Sequence, residues 1–212
     1  MIAVFGAGSI GCFIGGALAA AGEEVTLVGR PRLRDELAAG LSLRPLDRKP
    51  VAAKPESFRV ATAPEALAGA ELVLVCVKSG DTAAAAEAIA AHAPADGLVV
   101  SLQNGLANAE ALARALGHGR VVPGMVAFNV VREGPGRYAQ ATEGAVMVGA
   151  EAADFARRLD GPLVAAEARE DIDAIQRSKL LMNLNNPLCL LSGLSLRDEL
   201  RSRSWRRVLA AC

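Results

Sequence analysis

Four apolar residues, Ile2-Ala3-Val4-Phe5, run directly into Gly6-Ala7-Gly8-Ser9-Ile10-Gly11, and an Ala/Leu/Gly-rich stretch follows to Ala20. This order of strand, glycine turn and helix, with G-x-G-x-x-G spacing, constrains the fold more than any other feature of the chain. The first glycine permits a tight turn, the second lets backbone approach a pyrophosphate, and the third lets the helix pack closely on the strand. Helix N–H groups and the helix dipole then favour an anion. The alternative is a glycine-rich turn chosen for packing alone, and the repeated strand–helix setting argues against it. The first 22 residues carry no charged side chain, enough length to cross a bilayer. A signal peptide would begin with a basic region, which is missing. Glycines at 6, 8, 11, 15, 16 and 22 break the segment into strand, turn and helix, so a membrane span is not expected.

The pattern repeats downstream. Val25–Val28, Leu72–Val77 and Leu98–Leu102 are buried-strand runs, and Phe58–Ala61 is a shorter one. Pro31 opens a helix reaching Ala39, Asp81 caps an Ala-rich helix to about Ala91, and Leu106–Leu116 is helical. Continuously apolar strands alternating with helices predict a parallel sheet covered on both faces. Residues 41–56, with three prolines and mixed charge, read as loop or irregular strand. Val121–Val131, Gly136–Ala141 and Ala145–Val148 read as strands adding an antiparallel portion to the sheet edge, and Glu151–Leu159 as helix. From Asp171 the pattern is helical to the end, and Trp205–Cys212 reads as a helix with no stop signal. The expected fold is α/β: a Rossmann-type doubly wound sheet over 1–165, then the start of an all-helical domain over 166–212, as in the N-terminal part of a longer protein. Apolar surface from Leu188 to Leu196 and around Val208-Leu209 would then need cover, which a homodimer would give.

Charge narrows the partners. Lys plus Arg number 23 and Asp plus Glu 23, so the formal net charge is zero. Without a long basic run, nucleic acid and anionic membranes are poor partners. Cys12, Cys76, Cys189 and Cys212 show no C-x-x-C spacing, so neither a metal site nor a disulfide framework is expected, and the thiols suit a reducing cytoplasm.

The second strand ends Leu27-Val28-Gly29-Arg30. An acidic residue there would hold a ribose 2′-hydroxyl, whereas a guanidinium pairs with a 2′-phosphate, so Arg30 favours NADP over NAD. Arg32 and Arg34 read as solvated arginines of a surface helix. Lys78, after Val75-Cys76-Val77, and Asn104, in Gln103-Asn104-Gly105, end parallel strands at the edge where doubly wound sheets bind ligands. Lys78 can reach a phosphate. Asn104 suits a nicotinamide ribose or a substrate, although Asn-Gly is also plain turn chemistry.

Later, Lys179, Asn183 and Asn186 fall at i, i+4 and i+7 among Leu and Met, with Gln176 on the same side. Such a face either reaches water or lines a cavity, and the pattern alone does not choose. Burial would lower the lysine pKa and suit it to donating a proton near neutral pH. With His92 and His118 as the only histidines, Lys179 is the better candidate to protonate a ketone oxygen during hydride transfer.

Together, Gly6 to Gly11, Arg30, Val77-Lys78-Ser79, Gln103-Asn104-Gly105 and Lys179-Leu-Leu-Met-Asn183-Leu resemble the ketopantoate reductase (2-dehydropantoate 2-reductase) family. The resemblance implies a Rossmann domain followed by a helical domain, with the active site in the cleft between them. It implies NADPH-dependent reduction of the keto acid ketopantoate to pantoate, a step towards pantothenate and coenzyme A. It places the pyrophosphate on the glycine turn, the adenosine 2′-phosphate at Arg30 and Lys78, and the nicotinamide and substrate near Asn104. It makes Lys179 the general acid, with Asn183 bonding the substrate. Asn186-Pro187 resembles a further substrate-binding pair, one residue closer to the lysine than in the better-known members. Family members continue for roughly a hundred more residues, about the size of a domain, and that part supplies a carboxylate and a hydroxyl to the substrate site. Two other readings share these residues: a non-catalytic NADPH-binding sensor, and a related reductase with another keto-acid substrate.

Overall fold

The computed structural model describes residues 1–211. β1 (Ile2–Phe5) leads through the glycine turn into α1 (Ser9–Ala20), β2 (Val25–Val28) and a short α2 (Arg32–Glu36). A hairpin of β3 (Leu41–Arg44) and β4 (Val51–Ala53) precedes β5 (Phe58–Ala61) and β6 (Leu72–Val75). Next come α3 (Thr82–His92), β7 (Leu98–Ser101), α4 (Ala107–Leu116) and β8 (Val121–Val126). β9 (Val130–Gly134), β10 (Arg137–Gln140), β11 (Val146–Gly149), α5 (Ala153–Leu159) and β12 (Ala166–Arg169) follow. The chain closes with α6 (Ile172–Asn183), α7 (Asn185–Ser192), α8 (Leu196–Arg201) and α9 (Arg203–Leu209).

The main sheet has the order β12-β11-β8-β7-β6-β1-β2-β5. Its strands from β5 to β8 are parallel, β11 is antiparallel to β8, and β12 is parallel to β11. The chain builds outward from β1 through β2 to β5, then returns to the other side of β1 with β6, which places a topological switch point between β1 and β6. Both faces are covered, as the continuous apolar runs require. Ile2 and Val4 pack on one face with Phe13, Leu18 and Phe155, and Ala3, Val73 and Val75 on the other with Ala85, Ile89 and Leu112.

The uncharged α1 owes its composition to a second sheet, of order β4-β3-β10-β9. A Cβ at Gly15 would lie 2.5 Å from Leu27, whereas one at Gly16 would lie 2.9 Å from Leu41 and Leu43. Adjacent glycines thus let α1 press against β2 of the main sheet and β3 of the small one. The helix is apolar all round because it lies between two sheets. Among the described residues no helix is long and apolar enough to cross a membrane.

Several boundaries differ from the sequence reading. The segment 41–56 is a hairpin: Leu41, Leu43 and Ala53 face inward, and the prolines and charges occupy its turn and exit. Of the strands expected at the sheet edge, β8 and β11 join the main sheet, while β10 pairs with β3 and β9 with β10 in the small one. The helix after Pro31 stops at Glu36 because the chain turns into β3 at Gly40, where φ is +90°. Asp81 occupies the N-cap of α3 without a side-chain capping bond. β12 lies just past residue 165 and still belongs to the main sheet. Its Ala-Glu-Ala-Arg sequence has weak strand character and is held by pairing with β11. The terminal helix ends at Leu209, and Cys212 lies outside the described residues. Leu190 and Leu191 on α7 are largely exposed, whereas Leu188 is buried. Cys12, Cys76 and Cys189 are free thiols, with burial pushing Cys12 up to about 11 and Cys76 to about 12, so these two stay protonated.

Candidate functional site

A cleft of about 720 Å³ opens over the switch point, at the carboxyl ends of β1, β2 and β6. Gly6, Ala7, Gly8 and Ser9 form its floor, Arg30 and Arg32 one wall, and Val77, Lys78 and Asp81 the other. The Gly6 and Ala7 N–H groups both donate to Val28 O at 3.0 Å, which ties the turn to β2. Gly6 has φ of +100°, and a Cβ there would lie 2.5 Å from the Val77 nitrogen, so the turn lies directly on the loop that carries Lys78. Gly8 faces open space, since a Cβ there would meet only Gly6 O at 4.0 Å. Gly11 lies beneath the turn, where a Cβ would come within 2.7 Å of Gly6 O, and neither it nor Ile10 lines the cleft. The first N–H groups of α1 lack intrahelical acceptors, and the helix has no acidic residue in its first turn. Glycine backbone, an open helix start and flanking cations fit the diphosphate of a dinucleotide.

The other sequence candidates stand along the same sheet edge but outside this lining. Asn104 follows β7 and is exposed. Its carbonyl accepts from Asn108 Nδ2 at 2.6 Å and from Ser79 Oγ at 3.3 Å. Asn108 Nδ2 also donates to Ser79 Oγ at 3.0 Å, Thr82 Oγ1 donates to Asn108 Oδ1 at 3.0 Å, and Gln103 Nε2 donates to Thr82 Oγ1 at 2.8 Å and to Val77 O at 3.2 Å. This largely buried network joins the Lys78 loop to the Asn104 loop. The sequence reading gave no role to Thr82 or Asn108 and took Gln103 only as part of the Asn-Gly turn, although two neutral amides flanking that turn were a visible signal. Removing the amide with Asn108→Ala takes one hydrogen-bond partner each from Ser79 Oγ, Thr82 Oγ1 and the Asn104 carbonyl. A stability loss of about 1–3 kcal/mol is expected in urea denaturation, with faster hydrogen exchange in both loops. Wild-type exchange in residues 77–81 would contradict it.

Lys179 lies over the carboxyl end of β8. β7 stops opposite Pro123, so β8 has no strand partner on that side beyond it. The Ala127 N–H donates to Ala145 O on the β11 side, which leaves the carbonyls of Gly124 and Val126 facing the unpaired edge. There Gln176 Nε2 donates to Gly124 O at 2.9 Å, and the Lys179 ammonium donates to Val126 O. Residues three apart on α6 thus satisfy carbonyls two apart on β8. Lys179 is half-buried, and desolvation pulls its pKa below the ordinary lysine value. Asn183, one turn on, is half-buried, and Asn186 is exposed. The neighbouring Asn185 is the buried one: its Nδ2 donates to Cys189 Sγ at 2.8 Å, and its Oδ1 is the only buried side-chain oxygen or nitrogen without a partner among the described residues. α6 ends at Asn183 and α7 starts at Asn185, with Leu184 between them still helical in backbone and donating to Leu180 O at 3.1 Å.

A doubly wound sheet with a glycine turn at its switch point and a cleft above it defines the Rossmann class. The chain belongs to the ketopantoate reductase family, a family of nicotinamide-dependent oxidoreductases: the family model described as ketopantoate reductase PanE/ApbA matches residues 2–152. It is 38% identical over 154 residues to the 2-dehydropantoate 2-reductase of Halobacterium salinarum, which covers 70% of this chain and 48% of that protein. Against the 2-dehydropantoate 2-reductase of Pyrococcus horikoshii it is 34% identical over 149 residues, covering 70% and 46%. The chain thus spans about half the length of these curated relatives. Among solved structures it is similar to a PanE/ApbA family ketopantoate reductase from Ralstonia eutropha, with a TM-score of 0.86, 31% identity, and coverage of 99% of this chain and 70% of that one. D-mandelate dehydrogenase, solved with NADH and anilino(oxo)acetate, shares the fold at a TM-score of 0.83 and 20% identity, with coverage of 99% and 70%.

Proposed function

We propose that this chain binds NADPH in the switch-point cleft and takes part in reducing a 2-oxoacid, foremost 2-dehydropantoate to pantoate. The observation that carries this reading is the alignment along one sheet edge: glycine turn, Arg30 and Lys78 in the cleft, then Asn104 after β7 and Lys179 over the end of β8. When bound, the dihydronicotinamide supplies a hydride to the keto carbon. The glycine turn and the start of α1 hold the diphosphate. Arg30 and Lys78 bind the 2′-phosphate end, and the Asn108 network fixes Asn104 beside the nicotinamide and substrate. Lys179, held against Val126 O, delivers the proton that the reduced oxygen requires, with Asn183 orienting the substrate and Asn186 nearby on the next helix. Its lowered pKa makes that transfer easier than from a solvated lysine.

The test is a fluorescence titration of the purified chain with NADPH, with NADH as control, followed by an assay with 2-dehydropantoate. The Arg30→Ala variant is expected to lose roughly tenfold or more in NADPH affinity, about 1.4 kcal/mol or above, while NADH affinity stays within about twofold. An equal loss for both cofactors would remove Arg30 from the 2′-phosphate. A folded chain that binds neither would refute the reading.

A further inference from the structure

The cofactor cleft has a wall that does not come from the Rossmann unit. Arg132 on β9 and Tyr138 on β10 belong to the small sheet, yet both line the cleft beside α2. Glu36, the last residue of α2 and also a lining residue, faces Arg132. Its side chain is only 18% exposed and sits 3.0 Å from Arg132 Nη2 and 3.8 Å from Arg32 Nε.

A carboxylate in this part of a dinucleotide site has a definite consequence. Unpaired, it accepts from the ribose 2′-hydroxyl and repels a 2′-phosphate, the arrangement that selects NAD. Here two guanidiniums cover it. Arg30 lines the same cleft, so the local charge suits a phosphate dianion. Arg132 is the closer of the two partners and remains 41% exposed, so its remaining N–H donors stay open to a ligand.

We infer that Arg132 is a specificity-determining residue, which masks Glu36 and completes the 2′-phosphate pocket from the small sheet. Glu36 is then a latent determinant for the cofactor lacking that phosphate. This inference rests on the NADPH reading above.

The experiment measures Kd for NADPH and NADH by fluorescence, and for adenosine 2′,5′-bisphosphate and 5′-AMP by calorimetry, so that no readout needs turnover. In Arg132→Ala, affinity for NADPH and the bisphosphate is expected to fall tenfold or more, while affinity for NADH and 5′-AMP holds or rises. Adding Glu36→Gln to that variant is expected to recover most of the loss, because the repelling charge is gone. Arg132→Lys, which keeps the charge and the small sheet, is expected to retain the NADPH preference. A cofactor ratio within twofold of wild type in Arg132→Ala would overturn the inference and leave the NADPH reading standing. A loss that Glu36→Gln does not relieve would overturn the masking role. A wild-type chain that binds NADH as well as NADPH would overturn both.

Discussion

Replacing Lys179 by alanine is expected to cut the rate of 2-dehydropantoate reduction by about 10²–10⁴-fold, the usual contribution of a positioned general acid. NADPH affinity should stay within about twofold, because Lys179 lies outside the cleft proposed for the diphosphate. The sign of the pH dependence follows from the direction of its pKa. Desolvation favours the neutral amine, so the folded pKa lies below the unfolded one. The acid is active while protonated, and the rate should therefore fall as pH rises through the folded value, at a lower pH than for a solvated lysine near 10.4. Lys179→Arg keeps the charge but holds its proton too tightly to give it up, and should remain slow across that range. The same linkage affects stability. The ammonium penalises folding below the folded pKa, and the penalty is relieved as pH rises towards the unfolded one. Less than a tenfold loss in Lys179→Ala would remove the lysine from proton transfer.

What could be read in advance depended on how local the determinants were. β1, α1 and β2 were legible to the residue, because Ile2–Phe5, the glycine spacing and Val25–Val28 each fix their structure through short-range sterics. The small sheet was not. β3 pairs in parallel with β10, far along the chain, and nothing near Leu41 or Leu43 signals that partner. The second sheet is recorded only indirectly, in the uncharged sequence and paired glycines of α1, features that a bilayer-spanning segment would share. The same distance hid Arg132, whose place beside Glu36 depends on that long-range pairing. Asn108 and Gln103 were hidden differently: a buried amide and a surface amide look alike in sequence until their partners are known. Asn185 was hidden for the same reason: next to the exposed Asn186, nothing in the sequence marks it as the buried amide.

The glycine turn carries the other large effect, because one substitution separates the fold from the ligand and its neighbour does not. Gly6→Ala is expected to cost roughly 2–5 kcal/mol, combining strain at a positive φ with overpacking in a tight site. The φ of +100° is one that L side chains rarely adopt, and the new Cβ would meet Val77 N at 2.5 Å, Val77 Cγ1 at 2.7 Å and the Cys76 carbonyl carbon at 2.8 Å. Two of those atoms are backbone at the end of β6, so the clash cannot be relieved by a side-chain rotation. Relief must move the turn or the Lys78 loop, and either shift should weaken NADPH binding at least tenfold. Against a total stability of about 5–15 kcal/mol, the unfolding midpoint should drop visibly in urea. Gly8→Ala is the contrasting case. Gly8 has φ of −85°, which alanine adopts freely, and its Cβ would point into open space. The unfolding midpoint should stay near wild type, while the methyl group occupies the side from which a diphosphate approaches and NADPH affinity falls. A Gly8→Ala chain that binds NADPH like wild type would mean that the diphosphate passes elsewhere. A Gly6→Ala chain of wild-type stability would mean that the loop at Val77 yields more easily than its close backbone contacts imply.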